Sequence, residues 1–227
     1  MKEPPHQLDI ALGAAGSVSA LLARPAGAIA CFVFAHGAGA GMSHPFMAAV
    51  AEGLAERGVA TLRYQFPYME KGSKRPDAPA VAHAAVRAAA AEAARCCPGL
   101  PLIAGGKSFG GRMTSQAQAA APLDRVRGLA FFGFPLHPAG KPSCDRAKHL
   151  GDIKIPMLFL QGSRDSLAEL SLLEPVVKSL KRRATLHVVK EADHSFHVPA
   201  RSGRNDSEVM GEILDVFVAW AGGIETP

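Results

Sequence analysis

A serine set between glycines, Gly106-Lys107-Ser108-Phe109-Gly110, follows the apolar run Pro101–Ala104 and opens a segment of helical composition. G-x-S-x-G between a strand and a helix holds a serine hydroxyl exposed on a strained turn, where it can attack a carbonyl. The glycines let strand and helix approach closely, and a helix start favours developing negative charge. A serine needs a base. Of the nine histidines, His194 stands immediately past the strand-like run Thr185–Val189, with His197 the second choice. The acid that orients the base is Asp165, just past the run Ile155–Leu160, which gives the chain order Ser, Asp, His. The same Asp165 is placed to cap a helix over Leu167–Leu180. Two backbone amides complete the set as an oxyanion hole. One is that of Phe109, the other that of Ala38 in His36-Gly37-Ala38-Gly39-Ala40-Gly41, with Gly39 in reserve. The chemistry is acyl transfer to water.

Phosphate binding fits the same glycines less well. Gly106-Lys107-Ser108 resembles the end of a P-loop, but the first glycine of that motif would fall on Pro101. A dinucleotide fingerprint over His36–Gly41 would need its third glycine at Met42, and Leu62-Arg63-Tyr64 brings no acidic residue to the next strand end.

The elements that must position these residues are apolar runs of strand length alternating with helical segments. The runs are Ile29–Ala35, Val59–Arg63, Pro101–Ala104, Gly128–Phe132, Ile155–Leu160 and Thr185–Val189. Continuous apolar runs of this kind form parallel strands covered on both faces. Leu8–Leu12 and Ser17–Ala23 are predicted to form an antiparallel hairpin at the sheet edge. Helices are predicted from Pro45 to just before Gly58 and over Ala78–Arg95, Gly110–Ala121, Leu167–Leu180 and Ser207–Trp220. The alanine excess reads as filler on helix surfaces. The connection Phe134–Lys154 reads as loop, too short for a lid domain, so one α/β domain over residues 1–227 is expected.

The net charge is +5, supplied by Lys71, Lys74, Arg75, Lys178, Lys181, Arg182 and Arg183 among others. No aromatic residues interleave with them, so they read as solvated surface and no nucleic-acid partner is expected. Four cysteines form no C-x-x-C pair, and Cys96 and Cys97 are adjacent. That usage fits a reducing, cytoplasmic setting. Met1–Gln7 lacks the apolar segment of a secretory signal, and no run of about 18 apolar residues predicts a membrane span.

Three blocks carry a family resemblance. They are His36-Gly37-Ala38-Gly39, Arg63-Tyr64-Gln65-Phe66-Pro67-Tyr68-Met69-Glu70, and Gly105-Gly106-Lys107-Ser108-Phe109-Gly110-Gly111-Arg112-Met113. Phe134-Pro135-Leu136-His137-Pro138 extends them. Together they resemble the small α/β-hydrolase-like proteins that include the testis-expressed hydrolase-like protein and, more distantly, a scaffold subunit of a histone-acetyltransferase complex. More loosely the chain is similar to dienelactone hydrolases. The resemblance implies the α/β-hydrolase fold, a mostly parallel central sheet with helices on both faces and no lid domain. It implies Ser108, Asp165 and His194 at the three positions already reached, but it implies no substrate. The acyl-transfer chemistry of those residues calls for a small ester-like substrate, and for neither cofactor nor metal. The alternative that the resemblance carries is a catalytically idle, hydrolase-fold interaction module. Lys107, beside the serine, is placed either to stabilise an anionic substrate group or to brace the turn as a buried charge, for instance through an ion pair with Glu70; Arg112 reads as the same kind of brace. His137 reads as a rim residue, and Leu136 and Phe66 as the lining of a small acyl pocket.

Overall fold

The computed structural model describes residues 4–224. Its centre is an eight-stranded sheet: β1 (His6–Ala11), β2 (Ser17–Ala23), β3 (Ala30–Ala35), β4 (Val59–Tyr64), β5 (Leu102–Lys107), β6 (Val126–Phe132), β7 (Met157–Gly162) and β8 (Ala184–Val189). Their order across the sheet is β1-β2-β4-β3-β5-β6-β7-β8. The expected edge hairpin forms, with Leu8 opposite Ala20. β2 then runs antiparallel to β4, and every later pairing is parallel. The chain goes from β3 outward to β4 and returns to β5 on the other side of β3. Strand order therefore reverses between β3 and β5, and in such sheets ligands gather at the carboxyl ends of the strands flanking that point. Those ends carry the His36–Gly41 run and Ser108.

Every residue of β3, β4 and β7 is buried, as expected of strands covered on both faces. Helices α1 (Pro45–Glu56) and α6 (Asp206–Gly222) cover one face; α3 (Pro79–Cys96), α4 (Phe109–Ala120) and α5 (Leu170–Ser179) cover the other. The short α2 (Pro67–Glu70) follows β4. His44 caps α1 by accepting the Phe46 N–H at 3.2 Å. The α1–α6 face is aromatic, with Phe32, Phe34, Phe132 and Phe217 in mutual contact.

The opposite face corrects the reading of the alanines. Ala82, Ala85, Ala89, Ala90 and Ala93 of α3 are buried. They are the packing face of that helix, and their small side chains let it lie close on the sheet. The Phe134–Lys154 connection also holds more order than expected, a 3-10 helix over Asp145–Asp152. Among the described residues no helix is long and apolar enough to cross a membrane.

Candidate active site

Ser108 has φ 49° and ψ −112°, a conformation costly for a residue with a side chain and held only by its surroundings. Its N–H donates to the Phe132 carbonyl at 3.2 Å, and its own carbonyl accepts from Arg112 at 3.1 Å. The turn is tight enough to demand glycine on both sides. A Cβ on Gly106 would stand 2.4 Å from the Ala35 carbonyl oxygen, and one on Gly110 2.5 Å from the same atom. β3, β5 and the start of α4 thus meet without side chains between them, and the hydroxyl is presented at the switch point.

His194 reaches this hydroxyl from the loop after β8. Its Nε2 lies 2.8 Å from Ser108 Oγ and its Nδ1 2.6 Å from Asp165 Oδ2. An ionised carboxylate only accepts, so the proton sits on Nδ1 and Nε2 is the acceptor toward the serine. Asp165 is buried. Its Oδ2 also accepts from Gln161 Nε2, and its Oδ1 accepts the Leu167 N–H at 2.8 Å. That second bond belongs to a local turn, because α5 begins later, at Leu170, with Glu169 in the cap position. The helix-cap explanation of Asp165 is thereby corrected. The loop bearing His194 crosses directly over the end of β7, where a Cβ on Gly162 would meet the Ala192 carbonyl oxygen at 2.4 Å. His197, the other candidate base, points away and pairs with Asp206 at 2.8 Å.

Gly37 lies beside the serine, its Cβ position 3.9 Å from Ser108 Cβ, and Ala38 lines the cavity above it. Phe109 is the first residue of α4, so its N–H has no partner within the helix. Among the described residues neither the Ala38 nor the Phe109 amide donates to a backbone carbonyl. The end of β4 holds the glycine-rich loop in shape. Gln65 Oε1 accepts the Met42 N–H at 2.8 Å, Arg63 donates to the Met42 carbonyl at 3.1 Å, and the Phe66 N–H donates to His36 Nε2 at 3.0 Å. His36 Nδ1 in turn faces the Gly37 carbonyl at 2.8 Å. Burial lowers the His36 pKa to about 4, so this ring stays neutral and serves as a fixed strut.

Three of these supports were absent from the sequence reading. Gln161 joins β6 to the acid loop, accepting from the Phe134 N–H at 2.9 Å while donating to Asp165. Its signal was a lone amide at the end of an apolar strand. His36 and Gln65 were visible only as neighbours of glycine and proline.

Several side chains stand elsewhere than expected. Glu70 does not pair with Lys107; it accepts from the Ser19 N–H and hydroxyl at 3.0 and 2.8 Å. α2 turns Glu70 back over β2, on the far side of β4 from the serine. His137 is fully buried, not on a rim, with Glu169 on Nε2 and the Pro138 carbonyl on Nδ1. Leu136 and Phe66 are also fully buried in the α3–α5 core. The cavity at Ser108, about 390 Å³, is lined instead by Ala38, Ala40, Phe46, Met47, Leu167 and Lys107, among others. Arg112 has no ion pair among the described residues; its guanidinium lies over the Phe109 ring, 5.7 Å from the centroid.

An eight-stranded, mostly parallel sheet with a serine elbow at its switch point defines the α/β-hydrolase class. The family model described as alpha/beta hydrolase domain matches residues 28–222, and the chain belongs to that family. Solved structures with the same fold include a dienelactone hydrolase from Anabaena variabilis (21% identity, TM-score 0.76, 96% of this chain and 97% of that one). A serine hydrolase without lid from Xanthomonas campestris is similar at 20% identity, TM-score 0.73, over 97% and 96% of the two chains. The esterase domain of a Rhodothermus marinus protein matches at 14% identity, TM-score 0.72, over 96% and 98%.

Proposed function

We propose that the chain is a serine hydrolase that cleaves short carboxylic esters or thioesters by acyl transfer to water. Ser108 is the nucleophile, His194 the general base and then general acid, and Asp165 the group that fixes the imidazole tautomer. One observation carries this reading: the unbroken relay from Ser108 Oγ to His194 Nε2 at 2.8 Å and from His194 Nδ1 to Asp165 Oδ2 at 2.6 Å. Attack transfers the serine proton to Nε2 as the Oγ–carbonyl bond forms. The Ala38 and Phe109 amides take the oxyanion, and the α4 start adds its dipole. Collapse of the tetrahedral adduct passes that proton to the leaving oxygen or sulfur. Water, deprotonated by His194, then releases the acid and restores Ser108.

The small cavity, with no domain folded over it among the described residues, supports small substrates. The reading extends to one catalytic domain over residues 1–227, acting in the cytoplasm without cofactor, metal, nucleic acid or membrane. A fluorophosphonate probe tests it. Labelling of Ser108 that disappears in Ser108→Ala and falls sharply in His194→Ala is expected. A folded protein that leaves Ser108 unlabelled would overturn the reading in favour of an idle interaction module.

A further inference from the structure

Lys107 precedes the proposed nucleophile, and its side chain is enclosed. The ammonium lies 5.3 Å from the Phe196 ring centroid and 5.8 Å from that of Phe46. It donates one hydrogen bond, to the His194 carbonyl. A lysine ammonium has three donors, and among the described residues Lys107 forms no ion pair. The two carboxylates that favour its charge, Asp165 and Asp193, are spent on other partners. Asp165 serves His194, Gln161 and Leu167, and Asp193 accepts the Ser195 and His197 amides at 2.7 and 3.0 Å. Glu70 is bonded to Ser19. Lys107 therefore contributes a cation with no direct ion pair among the described residues to a cavity otherwise rich in Ala38, Ala40, Phe46, Met47 and Leu167. Burying such a charge costs stability unless a counter-charge arrives.

We propose that the Lys107 ammonium receives a carboxylate carried by the substrate, so that the site selects short esters or thioesters bearing a negative charge near the scissile carbonyl. This inference rests on the reading of Ser108 as nucleophile and names the substrate class of that site. A charge-assisted hydrogen bond in a cavity with a mostly apolar lining separates charged from neutral substrates strongly. The carboxylate belongs to either the acyl or the alcohol part. Burial lowers the Lys107 pKa to about 8. The groups facing it are Asp165 after β7, Asp193 and His194 after β8, and the rings of Phe46 and Phe196. The ammonium gives up its charge around that pH, so selection is present below about 8 and fades above it.

The test compares matched pairs. On the acyl side these are the p-nitrophenyl hemiester of glutarate and p-nitrophenyl valerate; on the alcohol side, the acetate esters of 4-hydroxybenzoate and of its methyl ester. The wild type is expected to favour the charged member of one pair in kcat/KM. Lys107→Met should lower that charged-to-neutral ratio about 10- to 100-fold, chiefly through KM, and Lys107→Arg should restore part of it. The ratio cancels any general loss of activity. Should Lys107→Met fail to fold, calorimetry on the Ser108→Ala protein scores the same claim without turnover. Glutarate should bind and glutaramide should not, with glutarate weakening above pH 8. No charged preference in either pair, a ratio unmoved by Lys107→Met, or equal binding of glutarate and glutaramide would overturn the inference. Absent Ser108 labelling with glutarate still bound would instead defeat the nucleophile reading alone.

Discussion

Two serine–histidine pairs stand on α4, one at its N-terminus and one in its middle, and they are built in opposite senses. Ser108 Oγ lies 2.8 Å from His194 Nε2, and Ser115 Oγ lies 2.7 Å from His149 Nε2. Distance does not distinguish them; proton direction does. Asp165 holds the proton on His194 Nδ1, so Nε2 accepts from Ser108. Ser115 gives its own proton to the Arg112 carbonyl at 2.8 Å, a bond typical of serine inside a helix. Its oxygen must then accept from His149 Nε2–H. No carboxylate is hydrogen-bonded to His149 among the described residues, and burial together with the Arg112 charge lowers its pKa to about 4. The comparison teaches what sets the proposed nucleophile apart from Ser115: an imidazole oriented by a carboxylate, a strained turn, and nearby amides that donate to no backbone carbonyl among the described residues. A short contact alone supplies none of these.

The largest test of that contrast is deletion of each pair. Ser108→Ala and His194→Ala are each expected to lower kcat about 10⁴- to 10⁶-fold, because such members act as a unit. Ser115→Ala and His149→Gln should leave ester turnover within a few-fold of wild type. Comparable losses from both pairs would erase the distinction.

Asp165→Asn probes the proton direction itself. An amide can donate to Nδ1 and so stabilise the wrong tautomer, and a loss of about 10⁴ in kcat is expected. A mild loss would mean that Gln161 and the loop, not the carboxylate charge, set the imidazole. Gln161→Leu should act more weakly. It leaves the buried Phe134 N–H without its acceptor and removes one donor from Asp165. A cost of about 1–3 kcal/mol in urea unfolding is expected, with a smaller fall in kcat than for Asp165→Asn.

Acid stability sharpens the view of the neutral imidazoles. His36 and His149 have folded pKa values of about 4, below the roughly 6.5 of an unfolded histidine. The unfolded chain therefore binds protons first. Stability from keeping these rings neutral is full above about pH 6.5 and declines as the pH falls toward 4. Urea midpoints should drop across that window in the wild type and drop less in His149→Gln. An identical decline in both would show that His149 is not a source of it.

The smallest effect concerns acyl length. Each buried methylene adds about 0.8 kcal/mol only while it leaves water, and the cavity of about 390 Å³ fills early. Across p-nitrophenyl esters of two to twelve carbons, kcat/KM should level off after the short members. A continued steep rise would reveal a longer apolar channel than the one at Ser108.

Much of the site was legible because local rules write it. The strand–turn–helix context of Ser108, the apolar run before Asp165 and the one before His194 are short-range patterns. A parallel sheet puts the ends of all its strands at one edge, so chain position alone carries three residues to the same place. Gly106 and Gly110 are legible as part of the motif, although the carbonyl that requires them, that of Ala35, belongs to the neighbouring β3.

Side-chain pairing was a different matter. A pairing of Lys107 with Glu70 was one expectation, yet α2 turns Glu70 back to Ser19 and the ammonium lies under His194. His137 and the pair Leu136 and Phe66 were placed by their nearness to motifs, but contacts to Glu169 and to the α3–α5 core bury them. The alanines of α3 read as surface because composition does not say which face meets a sheet. Composition, periodicity and turn chemistry thus determined the strands, the edge hairpin and the elbow. Only the tertiary structure decided what each charge meets, because pairs such as Lys107 and His194 are 87 residues apart and their meeting depends on how separate loops cross above the sheet.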